Sequence, residues 1–151
     1  MNISFDLDGT LIPFNKEFET EKRSLLAKLF GIERLRKGSS VLIADLQREG
    51  HKIHVYTTSF RSKIKIRIML KYYGVSVNKI INQTRNRKVL KSLNLNLSKY
   101  PPAFGFDLHI DDLKGVEIEG AKFNFKVVVV SSSDINWVLK IKKSLTSVKN
   151  L

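Results

Sequence analysis

The sequence predicts an α/β domain, a Rossmann-like three-layer sandwich on a five-stranded parallel sheet. Short apolar segments alternate with segments of helical periodicity, which is the pattern of parallel strands joined by right-handed helical crossovers. One apolar segment, Lys126 to Val130, is unbroken, as in a parallel strand covered on both faces. Hydroxyl or acidic residues follow three of the strands, and sheets of this kind bind ligands at the carboxyl ends of their strands.

The predicted elements follow one another along the whole chain. After a first strand that begins at Ile3, the other strands cover residues 52–56, 79–81, 106–110 and 126–130. The helices cover residues 17–30, 38–49, 61–73 and 85–93, and Asp134 caps a last helix. Residues 94–102 are predicted to form a polar loop. Glycines punctuate residues 113–124, which predicts a second loop with a short extended piece.

The segment 61–73 fits two interpretations. Its isoleucines alternate with basic residues, which suits a strand. Ile64, Ile68 and Tyr72 are also at helical spacing, and Gly74 can end a helix. We therefore predict a helix here.

The composition predicts a single domain over residues 1–151, large enough for a real core. No apolar window approaches the length of a membrane span, and no signal-peptide pattern precedes the first strand. We therefore expect a cytoplasmic protein without a membrane partner, and the sequence leaves its oligomeric state open. The chain has no cysteine, which excludes disulfides and thiolate chemistry and leaves oxygen or imidazole ligands for a metal.

The formal charge of +13 is unusual for a chain of 151 residues. Lysines and arginines are spread along the whole sequence, which is consistent with a solvated basic surface. The functional alternative is attraction to a polyanion or to a phosphorylated substrate. Composition alone does not separate the two.

Two carboxylates stand one residue apart where the first strand ends in Gly9-Thr10. Asp6 and Asp8 can both leave the sheet edge and converge on one ligand. Aspartate is a poor strand residue, and two aspartates at a strand end repel each other unless a positive group lies between them. The alternative is an Asx turn in which Asp8 caps the chain and Asp6 is solvated.

A second polar group, Thr57-Thr58-Ser59, follows the strand 52–56. One of these hydroxyls can cap the next helix. Another can bind a phosphoryl oxygen, because a hydroxyl and the backbone N–H groups of a strand-to-helix turn form an anion site.

A third group, Asp111-Asp112, follows the strand 106–110. Adjacent carboxylates without a nearby cation in sequence are unfavourable unless a metal neutralises them, although a solvated turn is the alternative. The three histidines are not spaced like metal ligands. His54 and His109 lie within predicted strands, so we expect structural roles for both.

The string DLDGT after an apolar run resembles the first motif of the haloacid dehalogenase-like (HAD) superfamily. Thr57, or Thr58 as the alternative, is similar to that superfamily's second motif, and Asp111-Asp112 is similar to its fourth. The resemblance implies a capless or minimally capped phosphatase with the strand order five, four, one, two, three.

What the resemblance implies chemically is a Mg²⁺-dependent phosphohydrolase that works through a phosphoaspartate. Asp6 is then the nucleophile and Asp8 the acid and base. Mg²⁺ is held by the Asp6 carboxylate, the Asp8 carbonyl and Asp111 or Asp112. Thr57 stabilises the transferred phosphoryl oxygens together with a lysine.

The superfamily lysine has to come from the segment before the fourth strand. Lys88, Lys91 and Lys99 all qualify by order, and we choose Lys99 because Lys99-Tyr100-Pro101-Pro102 places it on a rigid loop. This is similar to the Lys-Pro form of the third motif. One departure is that Lys114-Gly115 stands where the superfamily commonly has a further acid.

Neither usual insertion point has room for a folded cap domain, so residues 11–38 form at most a small lid. We therefore expect a large phosphorylated substrate, a protein or a nucleic-acid end, or a second subunit that closes the site. The expected substrate contacts are Thr58 and the arginines Arg34, Arg36 and Arg61. The alternative is a basic nucleic-acid-binding or end-processing protein of the same fold.

Overall fold

A computed structural model of the protein describes residues 1–149. Its one sheet within these residues contains five parallel strands: β1 (Asn2–Phe5), β2 (Lys52–Tyr56), β3 (Ile80–Ile81), β4 (Leu108–Asp111) and β5 (Val127–Val129). The strand order is β3-β2-β1-β4-β5. This confirms the predicted parallel α/β sheet and the strand order that the resemblance implied.

The helices that flank the sheet are α1 (Leu25–Leu29), α2 (Ser39–Arg48), α3 (Lys63–Tyr72), α4 (Gln83–Ser92), α5 (Lys114–Phe123) and α6 (Trp137–Lys149). A short 3₁₀ helix covers Pro101–Phe104. The ambiguous segment 61–73 is helical, because the Ser62 side chain accepts from Lys65 N and Ile66, Met69 and Leu70 pack into the core. None of the helices in the part of the chain that the structure describes combines the length and apolar character needed to cross a bilayer.

The predicted helix over residues 17–30 is wrong for its first half. The segment before Ser24 pairs with residues 35–40 instead, through a bridge between Thr20 and Arg36 and a hydrogen bond from Glu21 N to Leu35 O (2.7 Å). Ser24 then caps α1, since its hydroxyl accepts from Ala27 N. Tertiary pairing has overridden the helical spacing of the apolar residues.

The predicted loop over residues 113–124 is wrong, because this segment forms α5. The helix follows directly after β4, where Leu113 N donates to Asp111 Oδ1 (2.9 Å). A Cβ on Gly120 would lie 2.7 Å from Phe125 O. The glycine therefore allows close packing of the helix against the segment before β5 and does not mark a loop.

Several apolar side chains that suggested helices point outward. Ile64, Ile68 and Tyr72 of α3 are exposed, although their helical spacing helped to predict the element. Val41 of α2 and Leu139 of α6 are likewise exposed. Helical periodicity located these helices, but both faces carry apolar residues and the periodicity could not say which face is buried.

The register of the central strands positions the candidate site. β1 lies between β2 and β4, and its Phe5 is paired with Val55 and Ile110. Asp6 follows Phe5, and its backbone N–H donates to Ile110 O at 2.9 Å. Asp6 and the last residue of β4, Asp111, therefore leave the sheet side by side.

Candidate active site

Three carboxylates meet at the carboxyl end of the sheet. Asp6, Asp111 and Asp112 each offer an oxygen within 4.8 Å of the others. Asp6 and Asp111 are buried, whereas Asp112 is partly exposed. Two strand ends thus supply a compact set of oxygen ligands.

Lys99 extends into this cluster from the loop before β4. Its Nζ lies 2.6 Å from Asp111 Oδ2 and 2.8 Å from Asp6 Oδ1, and the side chain is almost fully buried. Burial opposes the charged form of Lys99, but the two carboxylates outweigh this effect and raise the pKa of the ammonium group above its ordinary value. Lys88 and Lys91, the alternatives by sequence order, are exposed on α4.

The loop that carries Lys99 is held on both sides of the lysine. Ser98 N and Ser98 Oγ donate to the carboxylate of Glu119 on α5, at 2.8 and 2.6 Å. Tyr100 N donates to the buried hydroxyl of Tyr56 at 2.8 Å. These bonds fix the backbone on either side of the buried ammonium group.

His109, for which we expected a structural role, contacts the carboxylate cluster. Its Nε2 lies 2.9 Å from Asp111 Oδ2, and its Nδ1 lies 2.9 Å from Ser4 Oγ. Burial and the nearby Lys99 lower the pKa of the ring. The sequence held one signal for this contact, because residues two apart on a strand share a face.

The carboxyls of Asp111 and Asp6 have opposite pKa shifts. Burial alone would raise the pKa of Asp111, but the hydrogen bond from His109 and the charge of Lys99 hold it well below its usual range. Burial raises the pKa of the Asp6 carboxyl, and Asp111 adds to the effect while Lys99 opposes it. Asp111 therefore carries the fixed negative charge of the pair.

Asp112 lies against the glycine of the DLDGT string. A Cβ on Gly9, whose φ is +80°, would lie 2.4 Å from Asp112 Oδ2. Thr10 Oγ1 donates to the other oxygen, Oδ1, at 3.2 Å. The glycine is thus needed both for the turn and for the close approach of this carboxylate.

The carboxylate of Asp8 belongs to a separate cluster. Its Oδ2 accepts from Arg61 Nη1 at 2.8 Å. The remaining edge of the guanidinium forms two hydrogen bonds with Glu33, at 2.8 Å from Nε and 2.7 Å from Nη2. The hydrogen bonds to Glu33, and next those to Asp8, raise the pKa of Arg61 despite its partial burial. Nothing in the sequence indicated that residue 33 takes part.

The two threonines after β2 differ in exposure. Thr57 is buried, its N–H donates to Ile81 O (2.9 Å), and its Oγ1 accepts from Ser59 N (3.0 Å). Thr58 is exposed. Thr57 stands at the end of the strand next to β1, as the second-motif resemblance requires, and the roles of both residues stay predictions.

Arg36, one of the expected substrate contacts, is buried among protein groups. Its guanidinium donates to the carbonyls of Ser131 and Asp134, both at 2.9 Å, and to that of Thr10 at 3.4 Å. It also lies between the rings of Phe18 and Trp137, 4.4 and 4.7 Å from their centroids. Its role here is to connect loops, and Arg34 remains exposed.

The donor set fits a divalent cation. Among the residues that the structure describes, the buried Asp6 Oδ1 has the Lys99 ammonium group, at 2.8 Å, as its one polar partner. Three carboxylates against one ammonium group leave excess negative charge. All the available ligands are oxygens, which Mg²⁺ prefers.

Comparison with known proteins places this geometry in one fold. No protein-family model matches the chain, and no curated protein matches its sequence. A predicted phosphatase from Clostridium acetobutylicum superposes with a TM-score of 0.55 at 14% identity, over 99% of this chain and 98% of that one. A predicted HAD-like family hydrolase from Porphyromonas gingivalis superposes with a TM-score of 0.54 at 15% identity, over 95% and 97%.

A third match is a chain of the Pnkp1/Rnl/Hen1 complex, with a TM-score of 0.55 and 14% identity. It covers 85% of this chain but 44% of that one, so the present chain spans less than half of its length. At such identities the likeness shows the fold. The chain therefore has the HAD-like fold, which confirms the resemblance inferred from the DLDGT string.

Proposed function

We propose that this protein is a Mg²⁺-dependent phosphatase that forms a phosphoaspartate on Asp6. The observation that carries the proposal is the group of Asp6, Asp111 and Asp112 gathered around the buried Lys99. The buried and otherwise unbonded oxygen of Asp6 suits a nucleophile, and the HAD-like fold supports the reaction class.

In the first step an oxygen of Asp6 attacks phosphorus in line with the leaving group. The bond between phosphorus and the leaving oxygen breaks as an acyl phosphate forms, and Asp8 gives its proton to that oxygen. In the second step Asp8 accepts a proton from water, whose oxygen attacks phosphorus. The bond to Asp6 then breaks, which releases inorganic phosphate and restores the carboxylate.

Asp6, Asp112 and the carbonyl of Asp8 would hold Mg²⁺ in this scheme, with Asp111 as the alternative to Asp112. When bound, the cation neutralises the carboxylates and the phosphoryl oxygens so that the nucleophile and its anionic substrate do not repel each other. We favour Asp112, because both oxygens of Asp111 already accept hydrogen bonds from Lys99, His109 or Leu113 N.

The protein groups around the phosphoryl oxygens have separate roles. Lys99 contributes positive charge, and the hydroxyl of Thr57 donates to an equatorial oxygen. Thr58 and Arg61 are the proposed contacts to the rest of the substrate. Arg61 is suited to this because it pairs with Asp8, the residue that protonates the leaving oxygen.

The substrate that we propose is a phosphate on a macromolecule. Residues 11–38 contain one short helix, Leu25–Leu29, and no folded cap among the described residues covers the site. An uncovered site accepts a bulky leaving group. The two candidates of this kind are a phosphoprotein and a nucleic-acid end, and the charge of +13 favours the nucleic-acid end.

The decisive experiment is a phosphatase screen with Mg²⁺ and with excess chelator. The substrates are an aryl phosphate, sugar phosphates, nucleotides, phosphopeptides and oligonucleotides phosphorylated at either end. We expect Mg²⁺-dependent release of phosphate from the aryl compound and higher kcat/KM for a macromolecular substrate. Equal turnover in chelator would refute the metal-dependent mechanism, and a strong preference for one small sugar phosphate would refute the substrate class.

Salt distinguishes the two macromolecular candidates. If nucleic acid is the substrate, oligonucleotide binding weakens steeply from low to moderate salt, because the release of condensed counterions from the nucleic acid becomes less favourable as the salt concentration rises. Absence of binding even at low salt leaves a phosphoprotein as the substrate and the basic charge as a solvated surface.

A further inference from the structure

Two helices carry an apolar surface that the site does not use. We name it the α1–α3 surface: Leu26, Phe30, Ile68 and Tyr72 line one cavity, and Leu25, Leu29 and Ile64 are exposed on the same two helices. Leu26 and Phe30 are 64% and 77% exposed, and Ile68 is 56% exposed. A single exposed leucine needs no explanation, but four large apolar side chains that line one groove between two helices mark a binding surface.

The two helices are joined and leave a groove between them. Ser24 N donates to the hydroxyl of Tyr72 at 3.0 Å, so the start of α1 is attached to the end of α3. A cavity of about 440 Å³ lies along this junction, lined by Leu26, Phe30, Ile68 and Tyr72 among others. The groove can accept an inserted apolar side chain.

The charge around the α1–α3 surface is mostly positive. Residues 22–32 and 60–82 contain no aspartate or glutamate. The exposed bases beside the apolar side chains are Lys28, Lys63, Lys65, Arg67 and Lys71. Two acids lie next to this surface, but both carboxylates already have partners: Glu33 is paired with Arg61, and Glu21 accepts hydrogen bonds from Gly38 N and Ser40 Oγ. A second copy of this surface would bring like charges together, which disfavours self-association.

We propose that the α1–α3 surface binds an acidic amphipathic helix of a partner protein. Apolar side chains of such a helix would enter the groove at the i, i+3, i+4 and i+7 positions, as in other helix-in-groove complexes. Its carboxylates would face the lysines on either side. The proposal does not depend on the phosphatase activity, because no residue of the surface belongs to the site.

The surface is nevertheless connected to the site. Glu33 follows α1 closely in sequence, and Arg61 lies two residues before α3. These two residues form the bidentate pair beside Asp8. A partner helix held by both α1 and α3 therefore contacts the elements that position this pair, next to the residue that would protonate the leaving group.

The test uses a displayed library of 18-residue helical peptides in which an apolar stripe is fixed and the flanking positions vary freely between Glu and Lys. The bait is the full chain. The matched variants are L26S/I68S on the surface and I118S/L139S elsewhere, where the two replaced side chains are 68% and 56% exposed. Circular dichroism and thermal melting check that both variants are folded.

We expect enrichment of Glu-rich peptides on the wild type, with affinity lowered at least ~10-fold by L26S/I68S and unchanged by I118S/L139S. Steeper salt dependence than for a neutral peptide is also expected. Three results would each overturn the proposal: no enrichment over the surface variant, enrichment of Lys-rich peptides, or a self-dimer that L26S/I68S dissociates. A fourth is binding to anionic lipid vesicles in place of peptides, which would make the surface a membrane contact.

Discussion

The site contains two charged clusters that differ in burial and in origin. In the first, Lys99 lies between Asp6 and Asp111, and all three side chains are almost fully buried. In the second, Arg61 lies between Asp8 and Glu33, and about a quarter of each side chain is exposed. Each cluster places one base between two acids. Because their compositions are alike, the difference in burial is what suits them to different roles.

In the buried cluster the surrounding protein keeps each ionisable group paired with its partner. An unpaired charge there costs several kcal/mol, so Lys99 cannot leave the two carboxylates without replacement. In the partly exposed cluster water can replace a lost partner, and ion pairs that water reaches are worth about 0–1 kcal/mol. The first cluster is therefore suited to hold the nucleophile rigid. The second is suited to release Asp8 when it has to transfer a proton.

The largest expected effect is that of D6N on hydrolysis of an aryl phosphate. An amide cannot form the acyl phosphate, so turnover should fall by at least about 10⁴-fold. Steady-state kinetics with Mg²⁺ measure it. D107N is the matched control, because Asp107 precedes β4 at the opposite end of the strand and accepts one hydrogen bond from Asn2 N. Full activity of D6N would show that the nucleophile is another residue.

Removal of the charge at Lys99 tests how strongly the buried cluster depends on it. K99M leaves Asp6 and Asp111 facing each other without a cation, which should lower the free energy of unfolding by about 3–5 kcal/mol in chelator. Mg²⁺ should restore part of this loss because it neutralises the same carboxylates. Urea unfolding with and without Mg²⁺ measures both effects, and the exposed K91M serves as the control. Identical curves for K99M and wild type in chelator would contradict this account.

D8N should remove proton transfer, whereas D6N removes the nucleophile. It keeps the nucleophile and the backbone carbonyl but cannot transfer a proton, so kcat should fall by about 10²–10⁴-fold with a poor leaving group. With a nitrophenyl leaving group, which needs little protonation, the loss should be smaller. A series of aryl phosphates with leaving groups of different pKa measures the slope. An equal loss across the series would rule out the acid role of Asp8.

E33Q tests the second cluster alone. Without the Glu33 charge, Arg61 has Asp8 as its one carboxylate partner in the cluster and should hold it more tightly, which hinders proton transfer. We expect a loss in kcat of about 10-fold, or ~1.4 kcal/mol, with poor leaving groups. E19Q is the control, since Glu19 forms an exposed pair with Lys37 in the same segment. A matching loss in E19Q would assign the effect to the segment as a whole.

The last prediction concerns the pH dependence of stability and tests a buried residue outside both clusters. Burial, with Lys79 and Lys52 nearby, lowers the pKa of His54 to about 4 from the ordinary value of 6.5. The unfolded chain therefore binds this proton first, so stability is full above pH 6.5 and falls as the pH drops toward 4. The slope from this residue is at most about 1.4 kcal/mol per pH unit.

H54F keeps a ring against Phe106, which stacks on His54 at 4.7 Å, and removes the proton. Urea unfolding from pH 7 to 4 should therefore show a smaller loss of stability for H54F than for the wild type. Asp111, whose pKa is held low, stays charged through this range. An unchanged pH dependence would mean that His54 does not cause the acid sensitivity.

The buried cluster could be predicted from the sequence, whereas the partly exposed cluster largely could not. Asp6 and Asp111 end adjacent strands, so the strand order that the family resemblance implied was enough to bring them together. Lys99 was selected by the rigid loop before β4. Glu33 and Arg61 are 28 residues apart on segments outside the sheet, and no pattern links them. Contacts between loops depend on tertiary packing, which one sequence does not encode as a periodicity.

The same limit explains the errors in the helices. Residues 17–23 were predicted to be helical from the spacing of apolar residues, but backbone pairing of residues 19–21 with residues 35–37 stabilises an extended segment. Gly120 was interpreted as a loop residue, although it allows α5 to approach Phe125. In the first case a segment farther along the chain decides the local structure, and in the second the close packing of α5 against Phe125 does.

The contacts of Arg36 determine how the loops around the site can open. Its guanidinium holds carbonyls from Thr10 and from the segment Ser131–Asp134, and its backbone N–H donates to Leu11 O at 2.7 Å. The loop after β1 cannot separate from the loop after β5 without leaving a buried cation short of acceptors. These loops therefore fluctuate as one cooperative unit with a shared opening free energy, and amide exchange along both should be governed by that single event.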